Sequence, residues 1–182
     1  HCESLSSQGD ARLKHFKEVI VPQLHQQDKM HVLIYIPSYF DFVAVRNLLL
    51  NEEASFVSIT EYARVSEVSR GRARFLQGRK RIMLYTGRAL FFLRHHIKGA
   101  KHLIMFGLPE HAGFYPSLLN MISEWSSNRE MDSDDESFGI GPQLSCLSLF
   151  TKYDGYALER IVGSKHSAHM LKGEKKTYFF NS

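Results

Sequence analysis

Five short apolar runs, separated by amphipathic stretches, set the expected architecture of this chain. His31–Ile36 (HVLIYI) is almost entirely apolar and rich in β-branched residues, the pattern of a strand covered on both faces. It ends at Pro37-Ser38. Tyr39–Leu50 then places Phe40, Val43 and Leu48 at helical spacing, with Asp41 in the first turn, where the helix dipole favours an acid. Phe56–Ile59 predicts a second strand, and Glu67–Gln77 a helix stopped by Gly78. Arg81–Tyr85 (RIMLY) predicts a third strand, leading through Thr86-Gly87 into a helix that runs to His95. His102–Phe106 (HLIMF) predicts a fourth strand, closed by Gly107 and Pro109. Phe114–Glu124 reads as a helix, Leu144–Phe150 as a fifth strand and Tyr153–Val162 as a further helix.

Strands that alternate with helices at this interval must be joined by right-handed crossovers, so the expected fold class is α/β with a doubly wound, mainly parallel sheet. Residues Ala11–Gln26 form an amphipathic helix interrupted by Pro22. They are expected to lie outside the core sheet, as a linker over residues 1–28 that precedes a sheet domain over 29–182. Residues 125–143 are rich in Ser, Asp and Gly and show no apolar period, which predicts a flexible acidic loop.

Composition narrows the picture. A length of 182 residues with 43% hydrophobic content suits one domain with a sizeable core. Charged residues break every apolar run well short of the ~20 residues of a membrane span, so no membrane association is expected. The chain opens on His1 without the order of a signal peptide, and reads as a piece of a longer protein. Two cysteines, Cys2 and Cys146, are too few for a disulfide framework, and a reducing compartment is expected.

The net charge of +4 conceals a separation. From Glu61 to Lys101 eleven Lys or Arg face two acids, a local charge of +9, whereas Glu124–Glu136 holds six acids and one Arg. Clustered cations of this kind suit a polyanionic partner, although solvated helix faces produce the same composition.

An open parallel sheet binds its ligands at the carboxyl ends of the strands. The residues there are Pro37-Ser38-Tyr39, Thr60-Glu61-Tyr62, Thr86-Gly87-Arg88 and Gly107-Leu108-Pro109. Three of these four turns supply hydroxyls or an arginine suited to phosphate oxygens. The phosphate cradles G-x-x-x-x-G-K-[S/T] and G-x-G-x-x-G are absent, as is the G-x-S-x-G elbow, so no catalytic residue and no bound cofactor is expected. His166 and His169 are three apart but lack a cysteine or acid beside them, and the adjacent His95-His96 cannot share a helix face, so no metal site is expected either. Phe91-Phe92 is expected to be core rather than a base-stacking pair.

The run HVLIYIPSYFDFVAVRNLL, then TEY, then SEVSRGRARFLQGRKRIMLYTGRALFFLRHHIKGAKHLIMFGLP resembles the second RecA-like domain of superfamily-two RNA helicases. More closely, YTGRALFFLRHHIKGAKHLIMFGLPEHAGFYPSLLNM and SLFTKYDGYALERIVGSKHS resemble the digestive-organ-expansion-factor family, a nucleolar group counted among the U three snoRNA-associated proteins of the small-subunit processome. The resemblance runs from about Phe16 to Phe180. It implies a RecA-like domain, a place in the nucleus and nucleolus, and a part in ribosome biogenesis and pre-rRNA processing. The implied partners are pre-ribosomal RNA or snoRNA, small-subunit processome proteins, and an N-terminal RecA-like domain outside this chain.

In the helicase frame the loops after the first three strands contact the RNA backbone. The resemblance thereby assigns RNA contact to Ser38, Tyr39, Thr60, Thr86, Gly87 and Arg88. Arg70 and Arg74, four apart on one helix face, would extend the patch. Capping of the following helix is a competing role for Thr86. Where active helicases carry His-Arg-x-Gly-Arg-x-Gly-Arg, this chain has Tyr115-Pro116-Ser117-Leu118-Leu119-Asn120-Met121. The resemblance therefore implies a helicase-like module that is not an enzyme. The alternatives are half of an ATP-dependent RNA helicase, and a protein-interaction platform using the Asp132–Glu136 loop or the Tyr178-Phe179-Phe180 tail, which equally suits an edge strand.

Overall fold

A computed structural model describes residues 8–25, 30–127, 144–173 and 178, with the backbone alone over 123–127. The described residues begin with helix α1 (Gln8–His15), continue through a π-helical turn (Phe16–Ile20) and end this first segment in α2 (Val21–Leu24). Strands and helices then alternate as β1 (Val32–Ile36), α3 (Tyr39–Asn51), β2 (Phe56–Ile59), α4 (Val65–Leu76), β3 (Ile82–Thr86), α5 (Gly87–Leu93), β4 (His102–Met105), α6 (Phe114–Ser127) and β5 (Ser145–Ser148). A 3₁₀ turn (Lys152–Asp154) leads into α7 (Gly155–Val162) and α8 (Ser164–Lys172).

The strands form one sheet in the order β2-β3-β1-β4-β5, and every pairing is parallel. All five expected strands are present. Those at the centre read as continuous apolar runs because both faces are covered. Side-chain alternation divides them. Leu33, Tyr35, Met83, Tyr85, Leu103 and Met105 point into a layer with α4, α5 and α6. Val32, Ile34, Ile36, Ile82, Leu84, Ile104 and Phe106 point into the opposite layer with α3 and the leading helices.

That second layer corrects the expectation for the N-terminal segment. Phe16, Ile20, Val21 and Leu24 are buried against the sheet rather than standing apart as a linker. Phe16 lies edge-on to Phe106, with ring centroids 5.6 Å apart. The physical reason is coverage: α3 alone leaves much of the β1 and β4 surface bare, and the leading helices cover it. A polar clasp fixes their position. Arg12 Nη2 donates to Asp154 Oδ2 at 2.5 Å, and Gln8 Nε2 donates to Thr151 Oγ1 at 2.7 Å, joining the start of the chain to the turn after β5. Asp41 lies near this clasp. Burial raises its carboxyl above the ordinary carboxylate range, against the opposing pull of Arg12.

The chain beyond β5 adds a satellite cluster in which Leu108, Leu158 and Met170 are buried together. Helix α8, which the apolar pattern did not predict, supplies Met170. Gly163, with φ of +80°, makes the turn between α7 and α8 that folds the pair together. Tyr178 packs on this cluster and donates its hydroxyl to Met170 O at 3.1 Å. The acidic loop beyond Ser127, including Asp132–Glu136, and the tail residues Phe179 and Phe180 lie outside the described residues.

His31 precedes β1 with φ of +62° and packs edge-on to Phe75, at 5.6 Å between ring centroids. Burial, helped by the charge of Lys101, holds its imidazole below the ordinary value. His95 is shifted the same way by burial and by Arg72. The unfolded chain therefore binds protons at these two sites more readily than the folded one. Their contribution to stability is complete above about pH 6.5 and declines as pH falls below it, by at most about 1.4 kcal/mol per pH unit for the buried His31 and by less for the solvent-screened His95. Urea midpoints at pH 7.5 and pH 5.5 should show this loss. His31→Asn should flatten the profile, because Asn tolerates the same left-handed backbone.

Candidate nucleic-acid interface

The carboxyl ends of β1, β2 and β3 bring Ser38, Tyr39, Thr60, Thr86, Gly87 and Arg88 to one rim, whereas Arg70 and Arg74 lie along α4; the rim residues differ in what they expose. Thr86 is 1% exposed. Its Oγ1 accepts the Ala89 N–H at 3.2 Å, capping α5, and donates to Glu61 Oε2 at 3.1 Å. Gly87 is buried beneath Pro37, where a Cβ would come within 2.9 Å of Pro37 O and 3.0 Å of the Tyr35 hydroxyl. Both are buried among these residues and position their neighbours. The glycine lets β3 turn into α5 under Pro37, and the threonine starts that helix.

What reaches solvent is Arg88. Its side chain is 57% exposed, its Nε lies 3.4 Å from Glu61 Oε1, and its guanidinium stands 5.8 Å from the centroid of the Phe92 ring. Glu61, with a side chain only 7% exposed, ties Thr86 and Arg88 together and so links the β2 loop to α5. Sequence reasoning did not single it out. A signal was present, since Glu61 is one of just two acids among eleven cations.

Ser38 sits at the N-cap position of α3 without a side-chain capping bond; its carbonyl accepts the Phe42 N–H at 3.0 Å. Tyr39 is 43% exposed and lies edge-on to Tyr62, centroids 5.8 Å apart, which brings the β1 and β2 loops together. Thr60 is half-buried beside them, its carbonyl accepting Ala63 N–H at 3.1 Å. On α4, Arg70 and Arg74 are both exposed, while Val68, Gly71 and Phe75 face the sheet. Arg72, between them, is drawn inward and donates to His96 O at 2.7 Å.

Phe91 and Phe92 are 45% and 62% exposed, contrary to the expectation that they are core. Helix α5 spans seven residues and has room for one buried face, which Ala89 and Leu90 occupy. Phe91 instead stacks on His111 at 5.9 Å with 28° between ring planes, and packs edge-on to Phe114 at 6.2 Å. Among the described residues no group of His, Cys, Asp or Glu is clustered to hold a metal ion, and no helix is long and apolar enough to cross a membrane. His166 and His169 lie exposed on α8, His166 beside Val162 O and His169 against the Tyr178 ring.

Removal of the Thr86 hydroxyl at constant shape, by Thr86→Val, deprives both the α5 amide and Glu61 of a partner. The expected loss of stability is about 1–2 kcal/mol by chemical denaturation. Ser38→Ala, which removes a hydroxyl that makes no capping bond, should cost less. Equal losses would show that capping is not what Thr86 does.

Compared with known proteins, residues 1–180 match the family described as Utp25, C-terminal domain. The chain belongs to this family. Among relatives, the U3 small nucleolar RNA-associated protein 25 of Schizosaccharomyces japonicus is 43% identical over 178 residues, covering 98% of this chain and 27% of the relative. The human U3 small nucleolar RNA-associated protein 25 homolog is 40% identical, covering 98% of this chain and 22% of the relative. Protein NUCLEOLAR FACTOR 1 of Arabidopsis thaliana is 37% identical, covering 97% and 22%. The chain thus spans about a quarter of the length of these relatives. Solved structures establish the fold of this Utp25 C-terminal domain family member as RecA-like. The C-terminal domain of the DEAD-box protein Dbp5 superposes with a TM-score of 0.59 at 12% identity, covering 87% of this chain and 78% of that one. The RNA helicase Prp28 from Chaetomium thermophilum bound to ADP gives 0.60 at 12% identity, covering 87% and 35%.

Proposed function

We propose that this chain is a non-catalytic, helicase-like RNA- and protein-binding module of a nucleolar ribosome-biogenesis factor, acting in pre-rRNA processing and small-subunit assembly. The observation that carries this reading is the rim at the strand ends. Arg88 is held by a nearly buried carboxylate with more than half its side chain in solvent, beside the uncapped Ser38 hydroxyl and the exposed Tyr39. Such groups contact an RNA backbone by charge and shape, without reading sequence. Thr60 lies nearby, and Arg70 and Arg74, exposed along α4, offer a polyanion further cationic contacts. The relatives' names, with U3 small nucleolar RNA in them, support pre-ribosomal RNA or snoRNA as that polyanion. Small-subunit processome proteins and an N-terminal RecA-like domain of the longer protein are the proposed protein partners.

Binding without turnover follows from what α6 carries. Residues 107–127, which include the stretch that the resemblance to helicases sets against their arginine motif, contain no Lys or Arg. A positioned arginine contributes about 10³–10⁵ to the rate of phosphoryl transfer, so the module holds RNA rather than driving hydrolysis. A salt titration of RNA affinity tests the proposal, run beside an ATPase assay of the full-length protein. Affinity that falls steeply with salt and no RNA-stimulated ATPase are expected. Absent or salt-independent binding, or an ATPase lost on Arg88→Ala, would overturn it.

A further inference from the structure

The exposed phenylalanines border a cleft of about 260 Å³ beside the basic rim. Arg88, Phe91, Phe92, Glu110 and His111 line it, and Pro37 joins it to the Ser38 turn. Its size falls below the ~300–1,000 Å³ of a site for a drug-sized molecule, and suits one flat ring system.

Three features point to the same occupant. The first is aromatic: Phe92 is 62% exposed, and Phe91 and His111 are exposed rings held nearly parallel. Every nucleobase has a π-face that stacks on such rings. The second is charge: the Arg88 guanidinium, poised over the Phe92 ring, puts a phosphate-binding group within reach of anything stacked there. The third is Glu110, exposed at the cleft wall, whose carboxylate accepts hydrogen bonds and donates none. Its charge also reaches the buried Tyr35 hydroxyl, which burial first and then Glu110 push above the ordinary phenol range.

We infer that this cleft takes an unpaired nucleobase of single-stranded RNA, stacked on one of the Phe91 and Phe92 rings and edge-on to the other, since the two stand at 89° to each other, with its flanking phosphate on Arg88 and an exocyclic amino group on Glu110. This rests on the RNA-binding reading above and specifies the form of RNA. A paired base is stacked inside its helix and cannot enter. Cytosine and adenine offer an exocyclic amino donor to Glu110, whereas uracil has none and its single N3–H donor is flanked by two carbonyl oxygens that the carboxylate repels.

The test uses the 182-residue chain with fluorescently labelled 12-nucleotide oligo(C), oligo(A) and oligo(U), and a blunt RNA duplex of matched length. Wild type should bind oligo(C) and oligo(A) more tightly than oligo(U), and all three more tightly than the duplex. Phe91→Ala with Phe92→Ala should weaken single-strand binding about 5-fold to 100-fold, in line with the loss of base stacking, while the salt slope stays unchanged because no cation is removed. Glu110→Gln should narrow the gap between oligo(U) and oligo(C). Thermal melts of each variant establish that the exposed substitutions leave the fold intact. Salt-dependent binding that is indifferent to Phe91→Ala/Phe92→Ala and equal for single strand and duplex would overturn the cleft assignment and leave the rim standing. No binding of any RNA would overturn both. Loss of binding to a processome protein on Phe91→Ala/Phe92→Ala, with RNA affinity unchanged, would reassign the cleft to a protein partner.

Discussion

Phe16→Ala should lower the stability of the domain by about 3–5 kcal/mol, the cost of emptying a fully buried phenylalanine site. Phe16 is 0% exposed, and its ring is enclosed by Phe106 and the apolar face of β1 and β4. Domains of this size are stable by about 5–15 kcal/mol in all, so the variant should show a much lower urea midpoint and a reduced soluble yield. Phe40→Ala, on the first turn of α3, is the matching control. Phe40 is 89% exposed, and its removal should change stability by no more than about 0.5 kcal/mol. An unchanged midpoint for Phe16→Ala would mean that the leading helices are a detachable linker after all.

Replacement of Arg70, Arg74 and Arg88 together by Gln should weaken RNA binding at low salt roughly 10-fold to 100-fold, at about 0.5–1 kcal/mol for each exposed cation. The slope of log affinity against log salt should fall by about 0.7 for each single-strand phosphate that is no longer neutralised. Gln is chosen for Arg88 because it keeps a donor for Glu61, whose side chain is only 7% exposed and would otherwise lose its charged partner. Lys14, Lys17 and Lys172, changed together to Gln, remove the same charge from α1, the π-helical turn and α8. That control should leave both affinity and slope close to wild type. Equal effects from the two triple variants would reduce the binding to net charge, with no defined interface.

The two families of variants separate contributions that composition blends. Arginine replacement should change affinity and salt slope together, whereas loss of Phe91 and Phe92 should change affinity alone. Stability variants at Phe16 and Thr86 act on the scaffold that aims these groups. A rim in which Thr86 and Gly87 are buried while Arg88 is exposed explains why three consecutive residues do three different things. One caps, one lets the backbones approach, and one faces the solvent.

Much of this was legible in the amino-acid order. The five strands, the parallel crossovers and most helices follow from local periodicity, because a strand covered on both faces must be apolar throughout and a helix covered on one face must repeat near 3.6. The concentration of arginines between Glu61 and Lys101, and the place of Arg88 just after β3, follow from the same reading. What the pattern left undecided depends on how much bare surface remains once the local elements have formed. The leading helices belong to the core because β1 and β4 need a cover that α3 does not complete. Phe91 and Phe92 are left in solvent because a seven-residue helix has a single inward face, already taken by Ala89 and Leu90. Glu61 becomes the hub of the rim because folding brings Thr86 and Arg88, 25 and 27 positions further along, to its two oxygens. Local order sets which residues can form an element. Only their packing in three dimensions decides which side of that element is left for a partner.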